Sequence, residues 1–267
     1  MEPITSTDNA QVKLARSLHE AKGRARARAF LVEGLRLVEA ATHSTEPQLA
    51  LHSTAFAESG ERAARLLAAL GARGVPVRPV SERVLAHVSD TVTPQGIVAV
   101  VPLPEDQRVL RCAQENGPAL DLILDAVQDP GNAGTLLRTA AAAGVGRVLS
   151  TEGTVDMFSP KVVRAAAGAH FQVRIGSVAW GALAGRGQVV LAEAGAPRRY
   201  WEIDWRIPST LIVSNEARGA TEQALRVATE RVSIPMHTEI ESLNAGVAGS
   251  IILYEALRQR TTSGVTV

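Results

Sequence analysis

With 267 residues, 46% of them apolar, the chain is long enough for one large or two modest domains with real cores, and disorder is excluded as its main state. A formal net charge of +1 excludes a polycation, 3% aromatic residues exclude a single-strand binder built on stacked aromatic platforms, and the lone Cys112 excludes an internal disulfide or a cysteine-rich metal site. No apolar run approaches the ~20 residues of a membrane span, and Met1-Glu2-Pro3-Ile4-Thr5 lacks a basic-then-apolar secretion pattern, so a cytoplasmic protein with no membrane partner is expected.

From Thr7 to His43 the pattern predicts helix, basic turn, short strand, helix. The basic stretch is Lys22-Gly23-Arg24-Ala25-Arg26-Ala27-Arg28, which suits phosphates bound with salt-dependent affinity and equally suits a solvated loop. Phe30-Leu31-Val32-Glu33-Gly34 reads as a strand ending at a glycine turn, and Leu35 to Ala41 as helical. A short strand over Gln48–His52, an amphipathic helix over Glu61–Leu70 stopped by Gly71, an extended Val75–Val80 and a buried strand over Gly96–Val101 follow. This alternation predicts a small α/β domain over 1–102. The proline-rich, charged stretch 103–117 reads as a linker, with room for a short helix around Val109.

Over 118–267 the strand candidates are Leu120–Asp125, Arg147–Ser150, Gln172–Ile175, Gln188–Ala192, Thr210–Ser214 and Val232–Ile234. Helices are expected near Ala133–Ala143, Ser159–Ala167, Ala179–Ala184 and Thr221–Ala228, with a last one over Ser242–Gln259. Short, continuously apolar strands between helices predict a parallel sheet covered on both faces.

Three stretches of this second half carry the chemistry. In Asp129-Pro130-Gly131-Asn132-Ala133-Gly134-Thr135-Leu136-Leu137-Arg138, a strand turns into a helix N-terminus, with Asn132 the expected N-cap and Gly131 and Gly134 allowing close backbone approach. A well-capped structural helix explains most of that segment. Arg138 is the exception, because its planar fork of donors matches phosphate oxygens. Leu211-Ile212-Val213-Ser214-Asn215-Glu216-Ala217-Arg218-Gly219 is a strand ending in a polar turn, at the end of an α/β sheet where ligands sit. Ile234-Pro235-Met236 offers an apolar wall, Thr238 and Glu241 are spaced as a capping box, and Ser242, Leu243 and Asn244 are expected in the first turn of the last helix.

In this order and near these separations, the three stretches resemble the motifs of the SpoU (TrmH) family of RNA 2′-O-ribose methyltransferases, within the SPOUT superfamily, from about Leu120 to Arg260. The Phe30–Gly34 run and Thr93-Pro94-Gln95-Gly96-Ile97 resemble that family's ribosomal-protein-like, RNA-binding domain. The resemblance implies S-adenosylmethionine as methyl donor, a C-terminal trefoil knot, and a homodimer with the active site near the subunit interface. It implies catalytic roles for Arg138, Asn132, Glu216, Ser242 and Asn244. It implies cofactor contacts from Ser214, Asn215, Gly219, Ile234, Met236 and Leu243, and RNA contacts from Lys22, Arg24, Arg26 and Arg28. The family's essential arginine maps to Arg138; because guanidinium stays protonated, orienting the nucleotide and stabilising a developing alkoxide are its defensible roles.

Three departures stand out: Ser214 where the family has a cofactor-contacting glycine, Asp129 where it often has asparagine, and His237 where a small residue is frequent. Six scattered histidines form no ligand pattern, and no metal is expected. Ribosomal RNA of the 23S type is the expected substrate, with transfer RNA the alternative. Two other classes stay open: a catalytically silent RNA-binding module, and a dinucleotide enzyme, although the turn at Asp129 lacks G-x-G-x-x-G spacing.

Overall fold

In a computed structural model of the chain, the described residues are 2–104, 119–183, 187–237 and 242–262. The expected linker helix near Val109 and the Thr238–Glu241 capping box lie outside them. The chain forms two compact units, Met1–Pro104 with Phe158–Phe171, and Glu105–Met157 with Gln172–Val267. Contiguous domains over 1–102 and 118–267 do not anticipate the first unit's borrowed segment. Ring packing accounts for it: Phe158 meets Phe30 edge-on with centroids 5.1 Å apart, and Phe171 stacks on Phe30 at 6.2 Å.

The first unit contains α1 (Ala10–Ser17), α2 (Ala21–Ala27), β1 (Ala29–Glu33), α3 (Leu35–Ser44), β2 (Leu49–His52), α4 (Thr54–Ala57), α5 (Glu61–Ala72), β3 (Val77–Pro79), α6 (Glu82–Val88) and β4 (Ile97–Pro102). Its four strands lie in the order β1-β4-β2-β3, with β4 antiparallel to both neighbours and β2 parallel to β3. Val12, Leu18, Leu31, Leu51, Leu85 and Val98 are among the side chains of its main core. Asn9, Ser53 and Ser81 each cap the helix that follows by accepting a backbone N–H, as their short oxygen-bearing side chains favour.

The basic run is a helix rather than a turn. Arg24 explains why: it is 4% exposed, and its Nη1 donates to the carbonyls of Leu18 at 2.7 Å and His19 at 2.9 Å. That bond pins α2 against the end of α1, where a Cβ on Gly23 would come within 1.8 Å of the Ser17 carbonyl oxygen. Lys22, Arg26 and Arg28 remain exposed.

The remaining elements are β5 (Leu120–Asp125), α7 (Pro130–Ala142), β6 (Arg147–Ser150), α8 (Pro160–Ala165, in the borrowed segment), β7 (Arg174–Ser177), β8 (Gln188–Ala192), β9 (Arg198–Arg199), β10 (Ser209–Ser214), α9 (Glu222–Val227), β11 (Glu230–Ser233) and α10 (Ala245–Thr262). Seven strands form one sheet in the order β7-β6-β5-β10-β8-β11-β9, and every pair is parallel. The parallel sheet follows from the apolar runs: every residue of β5 is buried, as strands covered on both faces require. Asp121 and Arg147 stand opposite each other on β5 and β6 and form a buried ion pair.

Three expectations shift. The strand placed at Gln172–Ile175 begins two residues later, the helix at Ala179–Ala184 is a 3₁₀ turn over Trp180–Leu183, and the last helix begins at Ala245. Gly249 of α10 packs against α7 and β10; a Cβ there would lie 2.4 Å from Leu136 Cδ2 and 3.1 Å from Val213 Cγ2. Close helix packing thus offsets the ~1 kcal/mol that a mid-helix glycine costs. Arg260 does more than complement its own helix end: burial lowers its pKa, and it donates to the carbonyls of Trp205, Ile207 and Ala119. Among the described residues, no helix is long and apolar enough to cross a membrane.

Replacing Arg24 by alanine leaves two carbonyls without their donor. The expected outcome in urea denaturation is a loss of about 1–3 kcal/mol for Arg24→Ala, against no measurable loss for Arg26→Ala.

Candidate functional site

The first motif starts at the carboxyl end of β5. Asp129, not Asn132, caps α7: its Oδ1 accepts the Asn132 N–H at 2.7 Å, and Pro130 occupies the first helical position, where a missing N–H costs nothing. The negative charge that distinguishes Asp129 is therefore used on the helix end. Asn132 is freed for another task. Its Nδ2 donates to Glu216 Oε1 at 2.6 Å, and its Oδ1 accepts from Asn244 Nδ2 at 2.7 Å.

Glu216 comes from the turn after β10, and the same oxygen, Oε1, also accepts the backbone N–H of Ala245 at the start of α10. Asn244 closes that helix end, its Oδ1 accepting the Val247 N–H at 3.1 Å and its carbonyl the Ala248 N–H. Ser242, Leu243 and Asn244 thus precede the first turn instead of lying in it. One hydrogen-bond network joins Asn132, Glu216 and Asn244, one residue from each motif.

Beside the network lies a cleft of about 320 Å³ at the carboxyl ends of β8, β10 and β11. Its wall includes Ser214 at the end of β10, Asn215, Glu216 and Gly219 after it, Ile234 and Met236 after β11, and Ser242 and Leu243 before α10. Asn215 reaches the wall with its side chain already committed: Nδ2 donates to the Ala126 carbonyl at 3.0 Å, and Oδ1 accepts from Ala217 and Arg218. The sequence reading missed Glu193 and Gly195 on the β8 side, and Ala248 and Ile252 of α10. For the β8 side a signal existed, since the small-residue run Ala192-Glu193-Ala194-Gly195 follows a buried parallel strand and sheets of this kind bind ligands there.

Arg138 does not line this cleft, nor do Asn132 and Asn244. It lies two turns into α7 and is exposed; among the described residues its side chain makes no hydrogen bond or ion pair. The neighbouring face of α7 packs on α10, with Thr139 and Ser250 hydroxyls 2.8 Å apart and Leu136 against Gly249.

The site's segments coincide with a family match. Residues 119–254 match the family described as SpoU rRNA Methylase, and residues 9–99 match an MRM3-like substrate binding domain. The chain is 36% identical over 263 residues to an uncharacterized tRNA/rRNA methyltransferase of Synechocystis, covering 96% of this chain and 94% of that protein. It is 35% identical over 264 residues to the 23S rRNA (guanosine(2553)-2′-O)-methyltransferase RlmP of Bacillus subtilis, covering 95% and 98%. Among solved structures, an AdoMet-bound rRNA methyltransferase from Sinorhizobium meliloti superposes with a TM-score of 0.84 at 30% identity, covering 96% and 97%.

Removing the Glu216 side chain strands the Ala245 N–H and the Asn132 amide together. Glu216→Ala is expected to cost about 1–3 kcal/mol in urea denaturation, whereas Glu216→Gln, which keeps an acceptor oxygen, retains most of that stability. Equal stability of the two variants would contradict the network.

Proposed function

The chain belongs to the SpoU rRNA methylase family, and from that premise we propose that it transfers the methyl group of S-adenosylmethionine to a ribose 2′-oxygen of 23S-type ribosomal RNA. It is an S-adenosylmethionine-dependent RNA methyltransferase. The choice of ribosomal RNA draws on the relatives named for it and on the match of 9–99 to a substrate-binding domain. Transfer RNA is the second reading, favoured by the Synechocystis relative's joint name. A cytoplasmic location is part of the same proposal.

The observation that carries the reading is that the second and third motif segments line one cleft, with the first tied to its wall by the bond from Asn132 to Glu216. Its size suits a small-molecule ligand, and its wall combines apolar Ile234, Met236 and Leu243 with polar groups from the β10 turn. That mixture fits an adenine ring at one end and charged methionine groups at the other. When bound, S-adenosylmethionine supplies an electrophilic methyl on a sulfonium, so the protein's work is alignment and handling one proton. Ser214, Asn215, Gly219, Ile234, Met236 and Leu243 hold the donor in this account. Asn132, Glu216 and Asn244 fix the start of α10 beside the site, Ser242 stands in the cleft wall, and all four serve the reaction. Arg138 grips a phosphate beside the target ribose and stabilises oxygen charge as the 2′-hydroxyl gives its proton to solvent water.

An exposed Arg138 outside its own chain's cleft fits an active site completed by a second copy. On α10, Val247 is 47% and Tyr254 53% exposed, an apolar stripe suited to burial in a homodimer. The C-terminal knot belongs to the same reading. In the first unit, exposed Lys22, Arg26 and Arg28 on α2 meet RNA phosphates, while Arg24 holds the helix that presents them.

Mapping 2′-O-methyl positions in total RNA with and without the gene tests the reaction. One ribose methylation in the large ribosomal RNA should disappear; an unchanged ribose map, or loss of a base methylation instead, would overturn the proposal. For the purified chain, Arg138→Ala is expected to lower the methyl-transfer rate by about 10²–10³-fold, with calorimetric S-adenosylmethionine affinity and melting temperature unchanged. Wild-type turnover in a folded Arg138→Ala protein would remove Arg138 from the mechanism.

A further inference from the structure

Asp125 ends β5, is 0% exposed, and among the described residues has no cation beside it. A carboxylate so placed is costly to desolvate and persists only when its oxygens are well supplied with donors. They are: Oδ2 accepts from Ser214 Oγ at 2.9 Å and from the Thr221 N–H at 2.9 Å, and Oδ1 accepts from Thr221 Oγ1 at 3.0 Å. Strand register makes this possible, because Ser214 pairs directly with Asp125 across β10 and β5.

The three donors come from the two ends of one turn. Ser214 is the last residue of β10, and Thr221 caps α9, its Oγ1 also accepting the Ala224 N–H at 3.2 Å. Between them lie Asn215, Glu216, Gly219 and Ala220, all in the cleft wall. A single carboxylate therefore closes the turn at its entry and its exit. It also gives the departure at 214 a use: the serine hydroxyl is bonded to Asp125, in a residue that stands in the cleft wall.

Resting on the reading of the cleft as the methyl-donor site, we propose that Asp125 is a positioning residue for donor binding, its carboxylate clamping Ser214 and Thr221 so that the 214–221 turn holds its binding shape before S-adenosylmethionine arrives. The clamp acts through the wall and touches no reacting atom. It should therefore change donor affinity and leave RNA affinity alone.

The test compares the full-length wild-type chain with Asp125→Asn and the milder Ser214→Ala, which removes one donor and leaves the carboxylate bonded to Thr221. Hydrogen exchange without any ligand reads the clamp directly. Exchange of the 215–221 amides should speed up by about tenfold in Asp125→Asn and about threefold in Ser214→Ala, with the centre of β5 still protected. Calorimetry should show S-adenosylmethionine binding weakened by similar factors, and kinetics a raised KM for the donor with the KM for RNA unchanged. Should Asp125→Asn fail to fold, the ligand-free exchange of Ser214→Ala decides, because Ser214 itself stands in the cleft wall. Unchanged exchange and donor affinity in folded variants would overturn the clamp, even if the wild type binds the donor. A wild-type chain that binds no S-adenosylmethionine would overturn the reading of the cleft itself, and with it the ligand assigned to this residue.

Discussion

One carboxylate oxygen, Glu216 Oε1, ties the β10 turn to the starts of both α7 and α10. It accepts from the Asn132 side chain and from the first N–H of α10, while Asn132 also accepts from Asn244. These three hydrogen bonds span 84, 29 and 112 positions of the chain. The α10 N-terminus needs acceptors for its unpaired N–H groups, and an acidic group there is favoured by the helix dipole. By satisfying that need from the β10 turn, Glu216 fixes where the last helix starts and so where Ser242 and Leu243 meet the cleft. Packing of Gly249 between Leu136 and Val213 then sets the helix's course.

The parallel sheet makes the arrangement available. All its strands point the same way, so the turns after β8, β10 and β11 gather at one edge. Strand order also reverses near β5 and β10, where such sheets leave a crevice. Asp125 and Glu216 divide the labour on either side of the β10 turn. One is buried and bonded only to neutral donors, holding the turn's base; the other is at its tip, holding the helix.

Much of this was legible in the residues. Apolar runs bounded by turn signals located β5, β6, β8, β10 and β11 to within a residue or two, and the burial of all of β5 and of all but the last residue of β10 explains the strength of that signal. What escaped depended on partners distant in sequence. Asn132 has the composition of an N-cap, and local rules cannot show that Asp129 takes the cap and releases Asn132 to Glu216. The run from Lys22 to Arg28 resembles a solvated turn until Arg24 finds the carbonyls of Leu18 and His19. Two-residue β9 is too short to carry a pattern. The segment Phe158–Phe171 joins the first unit through ring packing on Phe30, which no local periodicity encodes. The motif residues were found because chemistry restricts them, yet their contacts were not, since Arg138, exposed and outside the cleft, reads identically in the sequence to one lining it.

The central claim is that the turns after β10 and β11, with the residues that lead into α10, form the seat of the methyl donor. A crystal structure of the chain grown with S-adenosylmethionine tests it most directly. The account predicts the donor between the turns that follow β10 and β11, in contact with Gly219, Met236 and Leu243. Density for the donor elsewhere on the chain, with that cleft filled only by solvent, would contradict it.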